Sequence, residues 1–487
     1  MTRHFFLALG LLCLAVTSHA QNETDALRYA RLNPYGTARY FGTAGAFGAL
    51  GGDFSSLHTN PAGMGIYRRS DAGFSIGIGS SRVGADYEGT NTTAREGFSN
   101  LASAGLVASY PIADDRVERI NLGVSYMTLA DFDERISIEG EAMNTSLLDI
   151  YALQANGVPD TQIGSAFPFG ASLAWETFLL NPIENTVDQY MTAVPAGKVI
   201  QSKEITRVGG MTETAVAAAA NIGNEWYFGA TLGFPSVRYE ESTVYTEIVP
   251  DPTSDLNNWQ MRQTVEVNGG GFNMKAGVIY RPTEFIRIGA SVHSPTWLSL
   301  FDRYTTDMAS QFNNGDAYEW DSPLGEYNYR IRTPARAQIS AAALLGKIGF
   351  VSADYEFVDY STARLRPARV GGDDYPFELE NDAVQAAYGP AHNVRIGAEA
   401  KPLKWLALRG GVRLEQAPYT DEAFADAPSR MTYTVGAGLR FRGFYLDAGL
   451  AFADQTEQYF LYDPALVDAA SLEQQTISSV VSIGFRY

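Results

Sequence analysis

The stretch VSIGFRY, residues 481–487, shows the pattern that decides the fold. Apolar and aromatic side chains stand at every second position, and Ser482, Gly484 and Arg486 lie between them. Successive side chains of a β-strand point to opposite faces of the sheet, so this spacing gives one apolar face and one small or polar face. Strands of a barrel whose outer wall faces lipid need this period of two.

The same alternation recurs upstream, in FYLDAGLAF (444–452) and MTYTVGAGLRF (431–441) among others. In two further strands arginines occupy polar positions, at Arg395 in one and at Arg409 and Arg413 in the other. A charge that faces lipid is costly, so we expect these arginines to point into the lumen of a barrel. The sequence therefore predicts an all-β fold, a transmembrane antiparallel β-barrel. A soluble β-sandwich, whose strands also alternate, is the alternative.

We predict fourteen strands. With an even number, the last strand ends in the periplasm, where the first strand begins. The predicted strands are 70–82, 101–112, 118–131, 198–222, 225–247, 258–281, 285–303, 326–346, 348–358, 392–402, 404–416, 430–441, 444–454 and 475–487. Residues 198–222 can also be read as two strands broken at Gly209-Gly210; one strand with a glycine bulge keeps the even number.

Short and long connections alternate along these predicted strands. The connections after odd-numbered strands are the long ones, beginning with 83–100 and including the longest, 132–197. Outer-membrane barrels have short periplasmic turns and long extracellular loops, which matches this arrangement. The aromatic residue that closes the last strand also resembles the signal read by the barrel-assembly machinery, which is therefore a predicted partner.

Composition narrows the class of protein further. The formal net charge is −19, which makes nucleic acid a poor partner because its phosphates would repel the chain. Residues 1–20 have an apolar run, FFLALGLLCLAV, followed by Ser18-His19-Ala20, and are predicted to be a signal peptide. The lone Cys13 lies in this run; a lipoprotein anchor there is the alternative, but Leu12 precedes it where a small residue is needed. Beyond the signal peptide no run approaches 18 apolar residues, so helical membrane spans are not expected.

Residues 21–69 precede the predicted barrel domain, 70–487, and do not alternate. The glycine-rich part, 42–65, is not a G-x-G-x-x-G fingerprint, and no apolar strand precedes it. The alternative is a flexible linker, but apolar residues recur at spacings of three and four, which predicts one packed face. These residues are Phe47, Leu50, Phe54 and Leu57. About fifty residues on the periplasmic side suffice to fold back into the lumen as a plug.

This segment resembles the N-terminal signature of the FadL-type hydrophobic-compound transporters. The resemblance rests on GTAGAF (42–47) and on Asn60-Pro61-Ala62-Gly63. It implies a fourteen-stranded barrel closed by an N-terminal hatch, with these four residues in the hatch and a kinked strand that opens the wall to the membrane. Gly51-Gly52 depart from the acidic or alanine pair that family members more often carry, which leaves the detail of the hatch open.

The implied function is passive uptake of hydrophobic compounds such as long-chain fatty acids across the outer membrane. The alternative is a structural accessory of an outer-membrane secretion complex, since the family also includes barrels with that use. Beyond the signal peptide the histidines are His58, His293 and His392, far apart, and no hydrolase or metal motif is present. We therefore expect no enzyme activity, no catalytic residue, no cofactor and no metal.

The long external loop supplies the predicted ligand-binding residues. They are Phe167, Phe169, Trp175, Phe178 and Leu179. The last three lie at positions i, i+3 and i+4 of a predicted helix, where they either form a greasy groove for an amphipathic ligand or pack the helix onto the barrel rim. A second loop carries acidic residues, at Asp373-Asp374, Glu378, Glu380 and Asp382. These form a solvated face or bind divalent cations that bridge lipopolysaccharide, which together with outer-membrane lipid is a predicted partner.

Overall fold

The structure is a computed structural model that describes residues 23–114, 116–369, 375–420 and 429–487. The predicted signal peptide with Cys13, and Asp373-Asp374, lie outside these residues. The described chain forms fourteen antiparallel barrel strands, of which four are interrupted. They are β1 (Asp71–Tyr87), β2 (Thr90–Pro111), β3 (Val117–Asp131 and Glu134–Met143), β4 (Lys198–Ile222), β5 (Trp226–Ile248), β6 (Leu256–Tyr280), β7 (Ile286–His293 and Trp297–Phe312), β8 (Ala317–Asp321, Gly325–Arg332 and Arg336–Leu344), β9 (Gly349–Asp359 and Arg364–Pro367), β10 (Pro390–Leu403), β11 (Leu406–Glu415), β12 (Arg430–Arg440), β13 (Phe444–Tyr459) and β14 (Ala470–Arg486).

Each strand pairs with the next along the chain, and β14 pairs with β1, where Ile483 stands opposite Phe74. This last pairing closes the sheet and leaves no open edge, which is the condition for a sheet to cross a bilayer. The predicted fourteen-stranded barrel is confirmed, and the sandwich is wrong. Residues 198–222 form one strand, in which Gly209 has a φ of +120° beside the interruption of β3.

The two faces of the strands are as the alternation predicts. Along β13, Leu446 and Leu450 are exposed on the outer wall, and Tyr445 and Asp447 are buried in the lumen. The guanidinium groups at positions 395, 409 and 413 are buried inside. Aromatic rings stack on the outer wall at two levels, and one pair at the short-turn end, Trp226 and Tyr280, has ring centroids 4.2 Å apart.

The second level of outer aromatic rings lies nearer the long loops. It includes Phe234 and Phe272, whose centroids are 5.8 Å apart. The two levels are separated by about 26 Å along β6, at roughly 3.3 Å per residue, which suits an apolar band between two aromatic girdles. The end with the short turns is accordingly the periplasmic end.

Several strands extend farther outward than the sequence predicts. The connection predicted at 83–100 is wrong: β1 and β2 continue to a two-residue turn at Glu88-Gly89, where both φ angles are positive. Residues 134–143 and 304–312, predicted as loop, are strand as well. These extensions rise beyond the bilayer, where neither face must be apolar, so the hydrophobic period that reveals a strand is lost. The longest external connection is consequently 144–197 rather than 132–197.

This external connection folds over the mouth of the barrel with three helices, α3 (Leu147–Ala155), α4 (Asp160–Ala166) and α5 (Ala171–Glu176), and a small hairpin (Leu180–Pro182 with Tyr190–Thr192). Its apolar residues pack against inward side chains of the extended strands, such as Trp259 and Tyr245. A further helix, α6 (Glu378–Ala387), lies between β9 and β10. Among the described residues no helix has the length and hydropathy to cross a bilayer.

The depth of an outward residue sets the cost of a charge there. We predict that Leu450→Arg, in the middle of β13, lowers the free energy of unfolding by about 2–4 kcal/mol, and that Gln458→Arg on the same face near the outer end costs about 0–1 kcal/mol. Equilibrium unfolding from lipid vesicles measures both. Equal costs for the two variants would mean that β13 does not face lipid as described.

Candidate functional site

The chain before β1 lies inside the barrel. It contains two short α-helices, α1 (Glu23–Arg28) and α2 (Ala38–Phe41), and two 3₁₀ helices, Phe54–Leu57 and Pro61–Ile66. Residues 23–70 are named the N-terminal segment below. Its four predicted apolar residues are buried, but not on one face: Phe47 and Leu50 pack toward Phe350, and Phe54 and Leu57 pack in a separate cluster with Val107. A turn at Gly51-Gly52, both with positive φ, separates the two pairs.

The Asn60-Pro61-Ala62-Gly63 motif joins the N-terminal segment to the wall. The Asn60 side-chain oxygen caps the second 3₁₀ helix by accepting from the Ala62 amide (3.1 Å). Its amide nitrogen donates to the Gly48 carbonyl (2.7 Å) and lies 3.3 and 3.4 Å from the carbonyls of Val278 in β6 and Ala290 in β7. A single side chain thus fixes the helix start, the preceding turn and two strands.

Glycines of the barrel wall make room for this segment. In ten strands a Cβ added to an inward glycine would lie 1.9–3.3 Å from an atom of the N-terminal segment. These glycines are Gly77, Gly105, Gly123, Gly229, Gly277, Gly289, Gly397, Gly411, Gly436 and Gly449. At Gly277 the added atom would lie 1.9 Å from the Asn60 side-chain oxygen, and at Gly229 it would lie 2.3 Å from the Pro61 carbonyl carbon. The segment is therefore seated directly on the backbone of the wall.

A buried polar cluster also holds the N-terminal segment to the wall. The His58 ring bonds to Glu213 (2.8 Å) and to the Ser125 hydroxyl (2.7 Å), and Lys275 bonds to the same carboxylate. Burial lowers the pKa of His58, although Glu213 opposes this shift. The ring links the N-terminal segment to Glu213 in β4 and to Ser125 in β3. His293 also bonds to the N-terminal segment, at the Thr59 carbonyl (2.6 Å).

A cavity of about 750 Å³ lies on the extracellular side of the N-terminal segment. Its lining combines α1, several barrel strands and the ends of external loops. Apolar and aromatic contributors include Leu27, Tyr35, Phe98, Ala130, Phe132, Tyr239, Val265, Val267, Tyr388, Tyr419, Tyr459 and Phe460. The volume is in the range of sites that bury a small organic ligand.

The cavity reaches the wall where β3 is interrupted at Phe132-Asp133. Backbone pairing between β2 and β3 extends outward only to Ser103 and Met127. Beyond that point side chains contribute contacts across the two strands, including Asn100 to Asp131 (2.8 Å). The wall is thus less continuously paired beside the cavity than elsewhere along β3.

The predicted ligand-binding residues of the external loop do not share one surface. Helix α5 ends at Glu176, so the predicted helical stripe is interrupted before Phe178, which has a φ of +57°. Leu179 is fully buried among the loop helices, and Phe178 is half exposed with its ring 4.5 Å from that of Tyr318. Trp175 packs edge-on to Tyr190, and Phe169 lies 4.8 Å from Tyr304 by ring centroids. Phe167 is partly buried against the same loop core; binding of ligand by these residues stays a prediction.

Sequence reasoning missed the cavity because its residues come from many distant positions. Single aromatic residues such as Phe98 and Tyr239 carry no local motif. Only the register of the strands brings them to one level.

The closed barrel with its lipid-facing apolar wall is an outer-membrane β-barrel of the Gram-negative kind. No protein-family model and no curated protein matches the sequence. Among solved structures, a FadL homologue of Pseudomonas aeruginosa is 14% identical, with 94% of this chain and 99% of that chain covered and a TM-score of 0.53. The toluene transporter TodX of P. putida is 13% identical over the same shares, with a TM-score of 0.55. The chain has the FadL-type fold.

The close contacts at the wall glycines can be tested by adding a methyl group at one of them. We predict that Gly277→Ala displaces Asn60, because the added methyl group has no room beside its side-chain oxygen. Amide hydrogen exchange in residues 42–66, measured by mass spectrometry, should become faster, and ion conductance in planar bilayers should rise. Gly97→Ala is the matched control, since its added Cβ would come no nearer than 4.0 Å to a neighbour. Unchanged exchange and conductance in Gly277→Ala would contradict the close packing of the N-terminal segment against the barrel wall.

Proposed function

We propose that the protein is a channel for passive uptake of hydrophobic compounds across the outer membrane. The observation that carries this proposal is the cavity of about 750 Å³ that ends at the interruption of β3, above a lumen occupied by the N-terminal segment. A compound enters the cavity from the extracellular side and leaves sideways through the wall between β2 and β3.

The N-terminal segment acts as a plug in this proposal. A barrel of fourteen strands encloses a lumen that would pass small solutes if it were empty. Asn60, Pro61, Ala62 and Gly63 hold the plug against β5, β6 and β7, so water and ions have no straight route. A bound compound that favours a shifted plug would open the path by stabilising that conformer.

The outer wall supports a sideways exit. An apolar groove of about 520 Å³ lies on the lipid-facing surface of β2 to β5, periplasmic to the point where β2–β3 pairing stops. Its lining consists almost wholly of aliphatic side chains and glycine, including Leu106, Leu122, Val124, Val216 and Leu232. A hydrophobic compound that passes between β2 and β3 would meet this groove and need no exposure to water.

The shared fold with a toluene transporter supports a hydrophobic cargo. A structural accessory of a secretion complex would need no ligand-sized cavity in its lumen, so the cavity favours transport over that alternative.

Charge in the cavity bears on whether the cargo is a fatty acid. Its lining has eight carboxylates and four arginines, an excess that disfavours an anionic ligand. Arg28 pairs with Asp25, and Arg207 pairs with Glu134 and Glu241.

The other two arginines of the cavity, Arg31 and Arg430, have no side-chain hydrogen bond or ion pair among the described residues. A fatty acid therefore fits only if these two guanidinium groups take its carboxylate, whereas a neutral hydrocarbon needs neither.

Binding experiments can distinguish a fatty acid from a neutral hydrocarbon as the ligand. We predict that Arg31→Gln with Arg430→Gln weakens binding of oleate by about tenfold or more, since a hydrogen bond to a charged group contributes about 1.5–3 kcal/mol. Binding of toluene should be unchanged, which also serves as the control for folding. Isothermal titration calorimetry of the full chain in detergent measures both. If the wild type binds neither compound, the proposed function fails; if oleate binding survives the double change, the two arginines do not hold the carboxylate.

A further inference from the structure

Five arginines lie together toward the extracellular end of β8 and β9. They are Arg330, Arg332, Arg364, Arg366 and Arg369. The strand register places Arg330 directly opposite Arg366, and Arg332 directly opposite Arg364. The residues between them, Ile331 and Leu365, are buried toward the lumen, so the four strand arginines are on the outer wall. These five residues are named the arginine patch.

No acidic residue among those the structure describes forms an ion pair with the arginine patch. Arg330 donates through Nε to the Pro367 carbonyl (2.9 Å), and Arg364 donates to the carbonyls of Ser361 and Ala363 (both 2.6 Å). The whole chain has 55 acidic residues but only 36 lysines and arginines. A cluster that consists only of positively charged residues is therefore unusual for this protein. Like charges directly opposite each other destabilise a strand pair, so the pairing of β8 with β9 does not by itself account for the patch.

The patch lies at the level of the extracellular aromatic girdle. Trp297 of β7 stands opposite Arg332, and its ring stacks on Phe272 of β6 at 6.4 Å between centroids. Arg330 is two residues farther outward, about 7 Å along the strand. Aromatic girdles mark the border between acyl chains and headgroups, so the guanidinium groups are at the headgroup level of the outer leaflet.

We propose that the arginine patch binds the phosphorylated headgroup of lipid A in lipopolysaccharide. The guanidinium fork matches phosphate oxygens in a two-point contact, and a phosphate also neutralises the two opposed arginine pairs. Acyl chains of the same lipid lie along the outer wall below Trp297. This binding is direct, in contrast to cation bridges from the acidic loop, and it does not depend on what the channel transports.

The test is binding of purified full-length protein to diphosphoryl lipid A in a detergent free of lipopolysaccharide. Arg332→Gln with Arg366→Gln should weaken binding by about tenfold or more, since hydrogen bonds to charged groups are lost. Arg303→Gln is the matched control: it removes an outward arginine of the adjacent β7 that already pairs with Glu326 (2.9 Å), and should leave the affinity unchanged. Lipid A stripped of its phosphates should bind weakly to every variant.

Thermal stability gives a second, independent measurement of the same binding. Because one positive charge is removed from each of the two opposed pairs, the Tm of the double variant in lipopolysaccharide-free detergent should equal or exceed that of the wild type. Added diphosphoryl lipid A should raise the Tm of the wild type more than that of the double variant. The proposal is overturned if the double variant binds as tightly as the wild type, if phosphate-free lipid A binds equally well, or if inorganic phosphate alone at millimolar concentration gives the same rise in Tm.

Discussion

In a bilayer no water is available to pair with backbone N–H and C=O groups, so every such group of a membrane-spanning segment needs a partner within the protein. The pairing of β14 with β1 meets this need by removing the last sheet edge. Closure then fixes the rest of the design. A barrel of this size has an interior as well as a wall, and that interior must be filled or it leaks.

The filling follows from the wall itself. Outward side chains must be apolar, whereas an inward residue can be charged or polar, or can be a glycine without a side chain. Glycine at ten inward positions lets the N-terminal segment approach the backbone of the strands, and Asn60 connects it to β6 and β7. Buried charges such as Glu213 with Lys275 complete the contact. The cavity lies beside α1, at the beginning of the N-terminal segment, where β3 is no longer paired with β2 through its backbone.

The alternation of residues predicted the strands within the bilayer because lipid on one side and a lumen on the other impose opposite demands on neighbouring positions. It failed at 83–100, where the same strands rise into water and neither face must be apolar. The contiguous motif at Asn60 was visible in the sequence, whereas the glycines that receive it were not, since each stands alone in a different strand. The arginine patch left a local trace in Arg330-Ile331-Arg332 and Arg364-Leu365-Arg366, but only the register brings the two triplets side by side.

The central claim is that the cavity above the N-terminal segment holds a hydrophobic compound. Anomalous diffraction from crystals of the full chain soaked with a bromine-labelled aromatic hydrocarbon tests it most directly. The account predicts a bromine peak inside the barrel, between α1 and Phe132. Bromine found only on the lipid-facing wall, with the cavity holding none, would contradict it.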